Sequence, residues 1–253
     1  MVSLAGRHAV VTGGGRGIGR AVAEALAGSG VTVSALGRSE AALCELLQGG
    51  VLKSYAVADV TDERGIAAAF ARIAEQAGPV DILVANAGGA ESGPFAKTTA
   101  EQFRDMFELN VMGVVHSIRS VLDGMLARRN GRIVAIASTA GLKGYGYVTA
   151  YCTAKHAVVG LVRSLAVEIA TSGVTVNAIC PGYTDTDIVR ESVARIVDKT
   201  GRSSEQALSG LLKSNPMGRL VQPKEVAAAV LYLCSPDAAA VTGTTLAIAG
   251  GEV

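Results

Sequence analysis

Residues Thr12-Gly13-Gly14-Gly15-Arg16-Gly17-Ile18-Gly19, which we call the glycine turn, follow directly on the apolar run Ala9-Val10-Val11. They open a segment in which apolar residues recur at helical spacing. A short apolar run is typical of a strand buried on both faces, and a glycine-rich turn into a helix is typical of the βαβ units of a parallel sheet. The glycine turn therefore predicts an α/β fold whose first strand and first helix it joins.

Similar short apolar runs recur along the chain, at residues 31–33, 82–85, 133–136, 174–179 and 245–249. Segments with helical spacing lie between them. This alternation predicts a doubly wound, Rossmann-type parallel sheet of about seven strands with helices on both faces. The length of 253 residues suits a single domain, residues 1–253.

One segment, residues 187–217, departs from the alternation. It is rich in charged residues and serine, and its apolar spacing is weak. Because long insertions in compact domains are often functional, we expect a substrate lid at 187–217. The alternative is an exposed helical excursion without a function.

The composition excludes several classes of protein. The 23 Lys and Arg residues nearly balance the 22 Asp and Glu residues, and the chain has no Trp and only four Phe, so we expect no nucleic-acid partner. No stretch supplies the ~18 apolar residues of a membrane span. Residues 1–7 lead straight into the first apolar run without a signal-peptide pattern. We therefore expect neither a membrane partner nor export.

Cysteine and histidine residues form no recognisable site. They are scattered, without a CxxC pair or an HExxH motif: Cys44, Cys152, Cys180, Cys234, His8, His116 and His156. We therefore expect no metal, no disulfide framework and reduced thiols in a cytoplasmic protein. A serine hydrolase is not indicated either, because no G-x-S-x-G elbow occurs.

The glycine turn is also a candidate phosphate site. A helix N-terminus offers free N–H groups and the positive end of the helix dipole to an anion. We expect a pyrophosphate to bind at the following residues: Gly13, Gly15, Arg16, Gly17, Ile18 and Gly19. A glycine-rich turn without a ligand is the alternative. An NTPase loop is excluded, because Arg20 and Ala21 stand where it needs Lys and Ser or Thr.

The residue after the second apolar run bears on the choice of dinucleotide. A protein that prefers NAD carries an acidic residue about 20 positions after its glycines, for the ribose hydroxyl. Here the sequence has Gly37-Arg38. The guanidinium of Arg38, helped by Arg16, suits the 2′-phosphate of NADP. We therefore favour NADP(H) as the cofactor and keep NAD(H) as the alternative, in which Arg38 is a solvated surface residue.

Tyr151 and Lys155 are the candidate proton-transfer pair. Their spacing of four places the phenol and the ammonium on one face of a helix. A nearby positive charge favours the phenolate, so we expect Lys155 to tune Tyr151. The spacing alone is more often a simple surface pair.

An ordered set of residues along essentially the whole chain resembles the short-chain dehydrogenase/reductase family. The set comprises the glycine turn, Asp59-Val60, Asn86-Ala87-Gly88, Asn110, Ser138, Tyr151, Lys155 and the segment Pro181-Gly182-Tyr183-Thr184-Asp185-Thr186. The resemblance implies an oxidoreductase that interconverts a ketone and a secondary alcohol by hydride transfer with NAD(P). It implies that Tyr151 is the acid and base of the reaction.

The same resemblance assigns roles to other polar residues. Ser138 holds the substrate carbonyl against Tyr151, and a turn cap is its alternative role. Asn110 provides a water-mediated link to Lys155, which completes a proton path to solvent. Taken without the family, Asn110 is a packing or kink residue in an apolar helix.

Further positions are assigned to the coenzyme, which Tyr151 and Lys155 also contact. Three segments meet the adenine, the ribose and the nicotinamide carboxamide in turn: Asp59 and Val60; Asn86, Ala87 and Gly88; Pro181, Gly182, Thr184 and Thr186. The alternative for Asp59 is a helix cap. Ordinary loop structure is the alternative for the other two segments.

The sequence indicates less about the substrate and the oligomeric state than about the reaction. Residues 215–219 and 223–227 resemble 3-oxoacyl thioester reductases, 3-hydroxyacyl-CoA dehydrogenases and polyketide ketoreductases. Arginine and lysine residues of the lid could meet the phosphates of a thioester arm: Arg190, Arg195, Lys199 and Arg202. The alternatives are a non-thioester ketone, a cyclic alcohol or a polyketide, or a catalytically silent nucleotide-sensing scaffold. The family also implies a homotetramer formed through helices at residues 108–128 and 150–171 and the final strand.

Overall fold

The computed structural model describes residues 4–213 and 215–253, and within them seven parallel strands form one sheet. The strand order is β3-β2-β1-β4-β5-β6-β7. The strands are β1 His8–Thr12, β2 Thr32–Gly37, β3 Ser54–Val57, β4 Ile82–Ala85, β5 Gly131–Ile136, β6 Val174–Pro181 and β7 Thr245–Ile248. The predicted doubly wound parallel sheet is confirmed. Met1 to Ser3, part of the segment without a signal-peptide pattern, lie outside the described residues.

Helices connect the strands. They are α1 Gly17–Gly28, α2 Glu40–Gln48, α3 Glu63–Ala77, α4 Ala100–Phe107, α5 Gly113–Arg128, α6 Thr149–Glu168, α7 Asp187–Thr200, α8 Ser204–Leu212 and α9 Pro223–Cys234. A wider π-type turn, Glu108–Met112, joins α4 to α5. None of the described helices is both long and apolar enough to cross a bilayer.

The two faces of the sheet have separate apolar cores. On one face α3, α5 and α6 bury side chains such as Phe70, Ile118 and Val158. On the other face α1, α2 and α9 bury side chains such as Leu26 and Leu233. Because both faces are covered, the strands are apolar almost throughout, which explains why the sequence shows continuous runs rather than alternation.

The order of the strands reverses between β1 and β4, which pair in parallel with Val11 opposite Val84. At this reversal the connections leave the sheet toward opposite faces. A crevice therefore opens at the carboxyl ends of β1 and β4, which is where open α/β sheets bind ligands.

His8 lies at the opposite edge of the sheet, at the start of β1. Its side chain is buried, with Nδ1 2.8 Å from the carbonyl oxygen of Gly78 and Nε2 2.9 Å from the hydroxyl of Ser34. The Ser34 hydroxyl is in turn 2.9 Å from that of Ser54. Burial lowers the pKa of His8, so the ring is held neutral within this network.

The segment expected to form a lid folds as α7 and α8, followed by a turn; Ser214 within it lies outside the described residues. Gly201 follows the last residue of α7, and its φ of +68° favours glycine. α8 begins with a capping box in which Ser203 and Gln206 satisfy each other's backbone N–H groups. The segment is therefore helical, although its apolar spacing is weak, and in α7 only Val189 is buried.

Candidate active site

Two positions of the glycine turn require glycine for different reasons. Gly13 has a φ of +63°, in the left-handed region. A Cβ on Gly19 would overlap the carbonyl oxygen of Gly13 and would lie 2.6 Å from Nδ2 of Asn86. Arg16 precedes α1 without a side-chain cap, so no capping side chain occupies the N–H groups of the first turn. Close-fitting backbone and an uncapped helix N-terminus fit a pyrophosphate.

Asn86 fastens the glycine turn to the end of β4. Its backbone N–H donates to the hydroxyl of Thr12 at 3.0 Å, and Nδ2 donates to the carbonyl oxygens of Thr12 at 2.9 Å and Gly13 at 3.2 Å. The N–H of Ala87 also donates to the Thr12 hydroxyl, at 3.1 Å. Asn86 therefore has a structural task at the crevice: it fixes the two strand ends relative to each other.

The two arginines expected to select the coenzyme are largely exposed and lie near carboxylates. Nη1 of Arg38 is 3.9 Å from Oδ2 of Asp59, and Nη1 of Arg16 is 4.0 Å from Oδ2 of Asp187. Such exposed ion pairs contribute little stability. Both guanidiniums are therefore free to turn toward a bound anion.

Asp59 does not cap a helix, so the alternative role considered for it is wrong. The cap of α3 is Asp62, whose carboxylate accepts from the N–H of Gly65 at 3.0 Å. Oδ1 of Asp59 instead accepts from the N–H of Thr61 at 3.0 Å and from its hydroxyl at 2.9 Å. The backbone bond from Thr61, assisted by its hydroxyl and by Arg38, lowers the pKa of Asp59.

Tyr151 and Lys155 share one face of α6, as the spacing predicts. Nζ of Lys155 lies 5.7 Å from the centroid of the Tyr151 ring and donates to the carbonyl oxygen of Ile136 at 2.9 Å. Lys155 is only 4% exposed, and burial lowers its pKa to about 8. Burial also raises the pKa of Tyr151 to about 12, opposed by a hydrogen bond with Ser138. The spacing predicts that Lys155 favours the phenolate, but burial has the larger effect, and Tyr151 holds its proton at neutral pH.

Ser138 lies just beyond β5, before the short 3-10 turn Thr139–Gly141. Its hydroxyl accepts from the N–H of Ala140 at 3.1 Å, so it does cap this turn. The same hydroxyl interacts with the side chain of Tyr151. Both contacts are compatible, since a serine hydroxyl donates one hydrogen bond and accepts two.

Asn110 lies in the π-type turn, fully buried. The N–H of Gly113 donates to Glu108, five residues back, and the Nδ2 of Asn110 donates to Met106 at 3.0 Å. Asn110 also exchanges hydrogen bonds with the backbone of Gly89, at 3.0 and 3.3 Å. In the widened turn this amide is thus bonded both to Met106 in the preceding helical turn and to Gly89, beyond the end of β4.

Gly88 brings Asn110 and Lys155 to the same place. A Cβ on Gly88 would lie 2.7 Å from Oδ1 of Asn110 and 3.6 Å from Nζ of Lys155. Both polar groups therefore flank one backbone position. Any larger residue at 88 would enter the space between them.

The segment after β6 meets the glycine turn from the other side. Thr186, at the start of α7, places Cγ2 3.2 Å from where a Cβ of Gly17 would be. Its hydroxyl donates to the carbonyl oxygen of Thr184 at 3.2 Å, and the Thr184 hydroxyl donates to that of Gly182 at 3.0 Å. Pro181 is the last residue of β6. These residues form one wall of the crevice.

Two of the lid arginines, Arg190 and Arg195, are less available than the sequence suggests. Arg190 donates to the carboxylates of Asp185 at 2.9 Å and Asp187 at 2.8 Å, and Arg195 donates to Ser192 at 3.1 Å. With two carboxylates beside it, Arg190 is a weak candidate for binding a phosphate.

The sequence carries no local signal for one cluster near the site. Lys143, Tyr145 and Glu252 meet beside the Ser138 turn and the Gly182 segment. Glu252 is 107 positions from Tyr145, and no local pattern connects them. Only the tertiary structure reveals the cluster.

Comparison with known proteins identifies the family of the chain. The family model described as short chain dehydrogenase matches residues 7–196. The chain belongs to the short-chain dehydrogenase/reductase family. It is 38% identical to the 3-oxoacyl-(acyl-carrier-protein) reductase FabG of Vibrio harveyi, over 99% of this chain and 98% of that protein.

Solved structures of the family are also similar. An actinorhodin polyketide ketoreductase with NADPH is 40% identical and superposes with a TM-score of 0.92 over 97% of both chains. Levodione reductase is 33% identical, with a TM-score of 0.92 over 98% of both chains. As a short-chain dehydrogenase/reductase, the protein is an NAD(P)-dependent oxidoreductase that interconverts ketones and alcohols and acts on small-molecule substrates. The expectation of an enzyme, rather than a silent scaffold, is confirmed.

Proposed function

We propose that the protein reduces a ketone to a secondary alcohol with NADPH, using Tyr151 as the proton donor. The observation that supports this direction is the half-buried phenol of Tyr151, whose pKa desolvation raises to about 12, so that it carries its proton at neutral pH. A general acid must carry its proton at the working pH. Reduction requires that proton, whereas oxidation requires its removal.

Each polar residue of the site has one task in this proposal. Ser138 donates a hydrogen bond to the ketone oxygen and keeps it beside the Tyr151 hydroxyl. Tyr151 transfers its proton to that oxygen as negative charge develops on it. The coenzyme, when bound, supplies the hydride for the carbonyl carbon.

Lys155 and Asn110 support the proton donor. Lys155 holds a positive charge near the phenol, which stabilises Tyr151 after it has lost its proton. Asn110 lies close enough to the same backbone position, Gly88, for one water to bridge the amide and the ammonium. Such a bridge would return a proton from solvent to Tyr151.

The coenzyme would extend along the crevice, held by the residues that the sequence assigns to it. We place the pyrophosphate at Gly13, Gly15, Arg16, Gly17, Ile18 and Gly19; the adenine end at Asp59 and Val60; the ribose beside Asn86, Ala87, Gly88, Tyr151 and Lys155; and the carboxamide at Pro181, Gly182, Thr184 and Thr186. The uncapped start of α1 and the crowding around Gly19 support the first of these placements.

The preference for NADP(H) over NAD(H) rests on Arg38 and Arg16. Both are exposed and only loosely paired with Asp59 and Asp187. A 2′-phosphate could displace either carboxylate, because its charge is larger and it accepts bidentate bonds from a guanidinium.

For the substrate we propose a 3-oxoacyl thioester or a related polyketide. The relatives named 3-oxoacyl reductase and polyketide ketoreductase support this class. A cyclic, non-thioester ketone is the second candidate, supported by the similarity to levodione reductase and by the engagement of Arg190 with Asp185 and Asp187. Helices α7 and α8 would form the lid over either substrate, within a single domain.

We also propose that copies of the chain assemble into a tetramer through α5, α6 and β7. Val167, on α6, is 79% exposed, and a partner helix would cover it. Size-exclusion chromatography with light scattering measures the assembly directly, and a monomer would contradict the proposal.

Tyr151→Phe tests the proposed function. The phenylalanine ring occupies the same place but has no hydroxyl to donate a proton. Ketone reduction should therefore disappear, and the dissociation constant for NADPH should stay close to that of the wild type. Substantial residual reduction would reject the role of Tyr151. Running acetoacetyl-CoA beside a cyclic diketone with the wild type separates the two substrate classes: higher kcat/KM for the thioester supports the first.

A further inference from the structure

The cluster beside the site is built on a hydrogen bond between Tyr145 and Glu252. The Tyr145 hydroxyl donates to Oε1 of Glu252 at 2.5 Å, and the hydroxyl of Thr139 lies 2.7 Å from the Tyr145 oxygen. The side chain of Glu252 has no exposed surface. A fully buried carboxylate is costly unless it is hydrogen-bonded and paired with a positive charge. Glu252 therefore needs both a hydrogen-bond donor and a cation beside it.

Lys143 supplies the positive charge. Its Nζ lies 3.3 Å from Oε1 of Glu252, donates to the Glu252 carbonyl oxygen at 3.0 Å and sits 5.1 Å from the centroid of the Tyr145 ring. The other carboxylate oxygen, Oε2, is buried without a hydrogen-bond partner among the described residues. It faces Gly182, where a Cβ would lie 3.0 Å from it.

The cluster touches both turns that flank Tyr151. Thr139 is the neighbour of Ser138, so the bond to Tyr145 bears directly on the turn that presents the Ser138 hydroxyl. On the other side the Tyr145 ring meets the Tyr183 ring edge to face, with centroids 6.2 Å apart. Glu252 therefore connects the turn after β5 with the turn after β6.

We propose that Glu252 and Tyr145 are positioning residues for ketone reduction. Their charge-assisted hydrogen bond holds Thr139, and through it Ser138, at a fixed distance from the segment Gly182–Tyr183. The ketone then meets a preformed hydroxyl pair instead of a mobile turn. This inference rests on the proposed reduction of a ketone.

The chain contains a matched pair that lacks these features. Tyr55 donates to Glu40 at 3.3 Å at an exposed site. This hydrogen bond also joins a tyrosine to a glutamate, but it is exposed, has no lysine beside it and makes no contact with Ser138 or Tyr151. It therefore controls for the general effect of removing a Tyr–Glu hydrogen bond.

Tyr145→Phe, Glu252→Gln and the double variant test the proposal, with Tyr55→Phe and Glu40→Gln as controls. Steady-state kinetics give kcat and KM for the ketone, and coenzyme fluorescence gives the dissociation constant for NADPH. Because a small displacement of a positioning group has a large effect on rate, we expect kcat/KM for the ketone to fall roughly tenfold or more in each cluster variant. Since the two residues act through one bond, the double variant should lose little more than either single one.

Two further readouts separate positioning from a loss of fold. Tyr145→Phe removes a single oxygen atom and leaves Lys143 paired with Glu252, so it should still fold, lower the melting temperature by no more than roughly 10 °C and change the NADPH dissociation constant less than about twofold. If Glu252→Gln does not fold, Tyr145→Phe still carries the test. The two control variants should match the wild type in melting temperature and in kcat for the ketone at saturating NADPH.

Unchanged kcat/KM in Tyr145→Phe, or fully additive losses in the double variant, would overturn the positioning role while the proposed function stands. If the wild type reduces no ketone, the proposed function fails and this inference fails with it. A wild type that is active and loses activity on Tyr151→Phe separates these two cases.

Discussion

Lys155 donates a hydrogen bond of 2.9 Å from its ammonium to the carbonyl oxygen of Ile136, the last residue of β5. This bond points the ammonium at the end of the sheet, where Gly88 leaves room for it. The amine is nevertheless buried, and burial lowers its pKa to about 8. The ammonium of Lys155 therefore begins to lose its positive charge only slightly above neutral pH.

The pH dependence of reduction should follow Lys155. Below a pH of about 8 the amine is protonated, and as the pH rises through that value the charge is lost. Tyr151, with its pKa raised to about 12, stays protonated over the same range. We therefore expect kcat for reduction to be level near neutral pH and to fall as the pH rises through about 8. Lys155→Arg, which keeps its charge, should abolish this step, although its activity will be lower; a step that persists would assign it to another group.

Removal of Arg38 should change the choice of coenzyme. Arg38→Ala leaves the 2′-phosphate without its guanidinium, so KM for NADPH should rise by about tenfold, while KM for NADH should change little. Arg119→Ala is a suitable control, since Arg119 is similarly exposed and pairs with Glu63 at 3.3 Å. A wild-type enzyme that prefers NADH would contradict the assignment outright.

Two glycines of α1 should respond in opposite ways to alanine. Gly19→Ala forces a methyl group into the carbonyl oxygen of Gly13, so NADPH binding should be lost and the melting temperature should drop. Around Gly28 no atom lies within 4 Å of the added Cβ. Gly28→Ala should therefore leave binding intact and be neutral or stabilising, because alanine is the better helix former. Equal behaviour of both variants in a fluorescence titration would show that crowding at Gly19 is not what matters.

Acid should destabilise the fold through His8. Burial lowers the pKa of this ring below the 6.5 of a free histidine, so the unfolded state takes up a proton more readily than the folded state. The contribution of His8 is fully present above that value and is lost as the pH falls below it. We expect the free energy of unfolding to decrease between about pH 7 and pH 5. Urea titrations of His8→Gln should show a shallower decrease, and an identical slope would exclude His8 as the cause.

Local patterns in the sequence were enough for the sheet and for the glycine turn. A strand buried on both faces and a turn with positions that require glycine can both be recognised from a few consecutive residues, as Ala9 to Gly19 illustrate. The spacing of Tyr151 and Lys155 likewise follows from one helical turn. Such features depend on neighbours along the chain.

Features that depend on burial or on partners far apart in the sequence cannot be predicted from such local patterns. The pKa of Tyr151 is set by how deeply α6 packs, and the spacing to Lys155 gives the opposite direction. The sequence offers Asp59 as a helix cap, yet Asp62 has that role, because the helix begins three residues later than Asp59 would require. Glu252 and Tyr145 meet only once β5, β6 and β7 are side by side.

The π-type turn at Glu108–Met112 carries a last consequence. Its extra residue breaks the regular hydrogen-bond ladder between α4 and α5 and directs Asn110 across the crevice. Deleting one residue there would restore a continuous helix with better backbone bonding, but it would also rotate the amide away from Gly88. Under the proposed function, this irregularity weakens the helix in order to hold the amide of Asn110 beside Gly88.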